Sequence, residues 1–128
     1  MEQQEPQVDE KSFSSVEEIF DHYRVSYVKG NCHCPYGWLD LIHSLVYNMI
    51  LISPPETWAV DQVKSKFNSL RFYHNVRQES VIERANLHKL VASAELASEC
   101  LCVRCGLLEY DNKHTEKTCE ELYAKHLQ

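Results

Sequence analysis

Six cysteines and seven histidines stand among 128 residues, and their spacing is the first chemistry the chain offers. Cys102 and Cys105 bracket two residues, and Gly106 follows. That spacing lets both sulfurs converge on one ion at about 2.3 Å from each, and the glycine lets the chain fold back tightly. Cys119 stands at the start of a helix-forming segment, where the helix dipole lowers a thiol's pKa, and it makes a fitting third ligand. The fourth ligand must come from elsewhere. His114, in the loop before that helix, reaches most easily. Cys100 can swing in, as can Cys32, His33 or Cys34 if their loop packs nearby. His126 is badly placed, because it follows Cys119 by seven residues and so lies roughly 10 Å farther along the helix. The expectation is about one zinc ion per chain on Cys102, Cys105, Cys119 and His114. Two competing readings stay open: a knuckle whose cysteines are simply buried, and a disulfide or redox pair.

Two other constellations carry weaker signals. Cys32-His33-Cys34 is dense in ligands but isolated. It can complete the first site, bind its own ion, or form a loop with one buried thiol, and the last reading is favoured. The stretch 62–78 holds Lys64, Lys66, Arg71 and Arg77 with no acid, interleaved with Phe67, Phe72 and Tyr73. On a sheet such a face can stack bases and hold phosphates, with Lys64, Lys66, Arg71 and Tyr73 as the contacting residues. The plainer reading is a hairpin whose Phe side chains pack inward and whose cations point to water. Four charges are too few for strong non-specific nucleic-acid binding. With three Gly in the chain there is no Gly-rich phosphate loop, and no nucleophile motif surrounds the cysteines. No catalytic residue is assigned.

Composition bounds the class. Hydrophobic residues make up 44% and charged residues 25%, values ordinary for a soluble domain. The net charge of −6 resides in residues 1–21, which hold seven acids and one base; the other 107 residues are neutral. A basic field over the whole chain is therefore excluded. The polar, acidic start is unlike a secretory signal, so the six cysteines suggest a reducing compartment, the cytoplasm. There, clustered cysteines are read as metal sites or buried thiols.

The elements that must position these residues follow from periodicity. Residues 1–12 read as a flexible acidic arm and 13–128 as one domain. Ser14 or Ser15 caps a helix through about Tyr23, with Val16, Ile19, Phe20 and Tyr23 on one face. An apolar stripe from Trp38 to Ile52 predicts a second helix, ended by Ser53-Pro54-Pro55. Trp58–Lys66 and Leu70–Val76 predict antiparallel strands turning at Asn68-Ser69, with Trp58, Val60, Gln62 and Lys64 sharing a face. Residues 79–98 predict the longest helix, its core side set by Ile82, Ala85, Leu87, Leu90, Val91, Ala94 and Ala97. A turn-and-hairpin unit at 100–110 and a last helix starting near Thr118, with Glu121 completing a capping box, end the chain. The fold class is α+β: a small antiparallel sheet packed by helices, with a zinc-knuckle-like unit over 100–128.

The order of pieces is similar to one group of proteins. Cys34-Pro35-Tyr36-Gly37-Trp38, then Gln62-Val63-Lys64-Ser65-Lys66-Phe67-Asn68-Ser69-Leu70-Arg71-Phe72-Tyr73, then Cys102-Val103-Arg104-Cys105-Gly106 and Thr118-Cys119-Glu120-Glu121 run in sequence. This resembles a group of small, mostly uncharacterised bacterial and phage proteins with a Cys-Gly-x-Gly-Trp start, a Gln-Val-Lys-x-Lys-Phe-Gly-x-Leu-Arg-Phe-Tyr hairpin and a Cys-x-x-Cys-Gly end. The resemblance covers roughly residues 34–122 and implies a zinc knuckle closed by Cys-x-x-His. Cys102, Cys105 and Cys119 match three of those ligands; the fourth position falls on Leu122, which cannot bind metal. The resulting expectation is a non-enzymatic interaction module, a phage or prophage accessory protein that binds a host or phage protein in the host cytoplasm. The alternative is a nucleic-acid-binding accessory protein using hairpin 62–77, and a third is a small metal-dependent enzyme.

Overall fold

A computed structural model describes residues 12–77 and 80–126. The arm expected at the N-terminus lies, but for Ser12, outside the described residues. Ser15 caps helix α1 (Val16–Tyr23) by accepting from the Glu18 amide at 3.2 Å, and Glu18 reaches back to the Ser14 amide at 2.9 Å. This reciprocal pairing satisfies donors that a helix start leaves open. Val16, Ile19 and Phe20 are buried. A short 3-10 turn, Tyr36–Trp38, leads into α2 (Leu39–Ile52), which buries Ile42, Leu45, Val46 and Met49. Trp38 and Trp58 are both fully buried, and the Trp58 indole donates to the Ser53 carbonyl at 3.1 Å.

Strands β2 (Trp58–Lys66) and β3 (Ser69–Val76) form the expected antiparallel hairpin. Strand β1 (Ser26–Tyr27) adds to β2 in parallel, so the three-stranded sheet is mixed, in the order β1-β2-β3. Two details depart from simple alternation. The turn is one residue earlier than expected: Lys66 pairs with Ser69, and Phe67 and Asn68 form the two-residue loop with φ of 54° and 60°. A bulge between Val60 and Gln62 inserts Asp61. The extra residue flips the face, so Val60 and Val63 both point inward and Gln62 and Lys64 leave the face of Val60.

Helix α3 (Val81–Ser98), capped by Ser80, packs on α2 and on the edge strand β3. Leu87, Val91, Ala94 and Ser98 are its buried line. Ile82, Ala85 and Ala97, expected in the core, are exposed, because contact with one edge strand and one helix uses a narrower seam than a full sheet face would. Two α3 side chains close the open edge of β3. The Leu70 amide donates to Ser98 Oγ at 2.8 Å and the Phe72 amide to Glu95 Oε2 at 3.0 Å. An uncovered edge would offer those amides to another chain.

After α3 a small hairpin closes between Leu101 and Leu108 and leads to α4 (Glu116–His126). The cap of α4 is Thr115, not Thr118. Thr118 accepts from the Thr115 amide at 2.9 Å and its own amide donates to Thr115 Oγ1 at 3.2 Å, so the capping box lies three residues earlier than expected. Among the described residues no helix is long and apolar enough to cross a membrane.

Candidate metal centre

Three local structures bring four ligands together. The 100–109 hairpin holds Cys102 and Cys105: the Cys102 amide donates to the Leu107 carbonyl at 2.8 Å, and the Gly106 amide to the Cys102 carbonyl at 2.9 Å. Gly106 has a φ of +84°, a conformation open to glycine at no steric cost. The loop after it turns at Asp111, whose carboxylate accepts from the Lys113 amide and whose carbonyl accepts from the His114 amide, both at 2.8 Å. That turn presents His114. The Thr115 cap then starts α4, with Cys119 in its first turns.

The Sγ atoms of Cys102, Cys105 and Cys119 and a ring nitrogen of His114 all lie within 4.8 Å of one another. Cys102 Sγ and Cys119 Sγ are 3.8 Å apart. Two sulfurs each about 2.3 Å from one tetrahedral ion are separated by about 3.8 Å. The group is therefore compatible with a single metal ion. Glu109 Oε2 stands 4.0 Å from His114 Nδ1, where a carboxylate can orient a ligating imidazole.

The electrostatics split the thiols, and Cys119 departs from the lowering expected of a helix start. Burial alone would raise the Cys102 thiol, but the amides of Cys105 and Arg104 and the thiols of Cys105 and Cys119 are aimed at its sulfur and bring it down to about 7. Burial, followed by those neighbouring thiols, pushes Cys119 up to about 12. These hydrogen bonds favour the charged form of Cys102, the form that a divalent ion would bind.

The other sequence candidates are not part of this group. Cys100 is exposed. Cys32 is buried beside β2, its Sγ 3.9 Å from the Val28 carbonyl, and burial pushes its thiol up to about 11. Burial likewise pushes Cys34 up to about 12. His33 is exposed and its ring reaches the Gly30 carbonyl at 2.9 Å. Residues 32–34 lie in a loop in which Cys32 is buried and Cys34 half-buried. Lys64, Lys66, Arg71 and Tyr73 lie on the hairpin, remote in sequence from the centre, with Tyr73 exposed.

The sequence did not assign the contacts that place this unit. Gly37 docks the metal unit on the body: its amide donates to the Val103 carbonyl at 2.8 Å, and a Cβ there would lie 2.0 Å from the Cys102 carbonyl oxygen. A Cβ on Gly106 would in turn lie 2.9 Å from the Gly37 carbonyl oxygen. The two glycines permit this backbone approach, and their presence in both motifs was its signal. Glu109 carried none, because it becomes a neighbour of His114 only through the fold. No family model, curated protein or solved structure matches the chain.

Proposed function

We propose that the chain is a non-enzymatic binding module whose C-terminal unit is held by one zinc ion on Cys102, Cys105, His114 and Cys119. One observation carries this reading. Among the described residues beyond Ser98, the only buried side chains are those of Cys102 and Cys105. A unit of this size without an apolar interior needs another source of stability, and a structural metal supplies it. Three thiolates with one imidazole suit zinc, and four protein ligands leave no open position for a substrate or a water. A closed site of that kind favours a structural role over catalysis. The resemblance of residues 34–122 to small bacterial and phage proteins supports a cytoplasmic setting in a bacterial host.

The test is elemental analysis and native mass spectrometry of protein purified without added metal. About one zinc per chain is expected, and Cys102→Ser or Cys119→Ser should abolish it. A metal-free wild-type chain whose melting is unaffected by chelator and by added zinc would overturn the reading.

A further inference from the structure

The tip of the β2–β3 hairpin holds a residue that local structure disfavours. Phe67 occupies the first position of a two-residue hairpin loop with φ of 54°. Positive φ at both loop positions is the signature of the turn that favours Asn-Gly or Gly-Gly. A side chain there costs about 1–2 kcal/mol relative to a relaxed conformation. Packing does not repay that cost, because Phe67 is 88% exposed. An exposed aromatic ring held in a strained turn marks a place where the ring itself is used.

The face behind the tip carries matching chemistry. Lys64 and Arg71 are a directly opposed cross-strand pair, an arrangement that disfavours the sheet on its own. Among the described residues no acid forms an ion pair with Lys64, Lys66 or Arg71. Each lysine instead lies over a ring: Lys64 Nζ is 5.8 Å from the Tyr73 centroid, and Lys66 Nζ is 5.7 Å from that of Phe67. Tyr73 is 45% exposed. The hairpin therefore presents two exposed rings, each with a cation beside it, plus a third cation between them.

We propose that this finger binds single-stranded nucleic acid, with Phe67 and Tyr73 stacking on bases and Lys64, Lys66 and Arg71 neutralising phosphates. Charge complementarity selects a polyanion, and the two rings select one with accessible aromatic faces, which excludes an intact duplex. Cations and rings read phosphate and base rather than sugar, so DNA and RNA strands should bind alike. The inference rests on the reading of the chain as a binding module. It does not depend on the candidate metal centre, whose ligands lie in another part of the fold.

Fluorescence anisotropy of labelled single-stranded 12-mers, DNA and RNA, against the full-length zinc-loaded protein tests it. Three phosphate contacts give a slope of log affinity against log salt near −2, so affinity should fall roughly 20-fold between 50 and 200 mM salt. Phe67→Asn puts a residue suited to left-handed φ at the tip. It should melt no lower than wild type yet bind about 5- to 160-fold more weakly, the loss expected for one stacked base. Lys64→Ala, Lys66→Ala and Arg71→Ala should each flatten the salt slope by about 0.7. Undiminished binding by Phe67→Asn, equal binding to a duplex of the same length, or partition onto anionic vesicles without oligonucleotide binding would each overturn the proposal. Zinc content of the same sample separates that failure from failure of the metal reading.

Discussion

The body and the C-terminal unit differ in what they bury. In the body, α1, α2, α3 and the sheet enclose Trp38, Trp58, Phe20, Ile42, Met49 and Leu70, all essentially inaccessible to water. Each such side chain contributes a few kcal/mol through burial alone. Beyond Ser98 there is no counterpart: α4 buries no side chain among the described residues, and the hairpin before it buries only two thiols. The body folds because its apolar faces exclude water. In the terminal unit four ligand atoms lie within 4.8 Å of one another, and the proposed ion would supply its order. On the proposed reading, one chain combines a region that tolerates no large cavity with a region that tolerates no lost ligand.

The largest expected effect breaks the second region alone. Structural zinc sites carry apparent binding energies of about 10–16 kcal/mol at neutral pH, most of which becomes folding energy. Cys119→Ser should therefore release residues 100–126 from order while β2, β3 and α2 stay folded. Limited proteolysis would show this as a stable core truncated after α3. A variant as resistant as wild type over its full length would remove the distinction between the two regions.

Next in size is a change that spares the metal and weakens the body. Phe72 is 2% exposed and faces Phe20 with ring centroids 6.2 Å apart. Phe72→Ala should cost about 3–5 kcal/mol in urea unfolding, and under native conditions the variant should still hold one metal per chain. A cost below 1 kcal/mol would place Phe72 outside the core.

Gly37→Ala acts on the joint between the regions. A methyl group 2.0 Å from the Cys102 carbonyl oxygen cannot be accommodated in place. Overpacking of this kind costs about 1–3 kcal/mol. The zinc-loaded variant should keep its metal and unfold in two steps, as the terminal unit moves independently of the body. A single unshifted transition would contradict the docking described here.

The smallest effect is a pH dependence within the body. Burial, and then the neighbouring His88 ring 4.7 Å away, lower the His74 pKa below its usual value, and Nε2 of His74 is buried without a partner. The unfolded chain then takes up this proton at higher pH than the folded one. Stability is full above about pH 6.5 and falls as the pH drops from there towards the folded pKa, by at most about 1.4 kcal/mol per pH unit. Urea unfolding of Cys119→Ser between pH 7.5 and 5.5 isolates the effect from the metal ligands, and His74→Phe should flatten it. An unchanged slope in that variant would assign the dependence to another group.

Legibility of the fold varied with the kind of physics involved. Helix α2 and strand β2 end where periodicity and Pro54 require, since local pattern decides both. The Asp61 bulge, the turn at Phe67-Asn68 and the outward Ile82 were not legible. Each is settled by tertiary pairing that no local propensity records, and a phenylalanine at positive φ runs against propensity altogether. The parallel strand β1 has only two residues, too few for any periodicity to show. The metal cluster was legible because ligand spacing is itself the signal, although Thr118 looked like a cap and displaced the start of α4 by a turn. The glycine joint needed two distant motifs to be placed face to face.

Hydrogen exchange measured by mass spectrometry, on the zinc-loaded protein and on the same sample after chelation, tests the central claim most directly. Chelation should abolish protection of the amides that close the 100–109 hairpin and α4, among them Cys102, Gly106 and Cys119, and leave β2, β3 and α2 protected. Equal protection of residues 100–126 with and without metal would contradict the account.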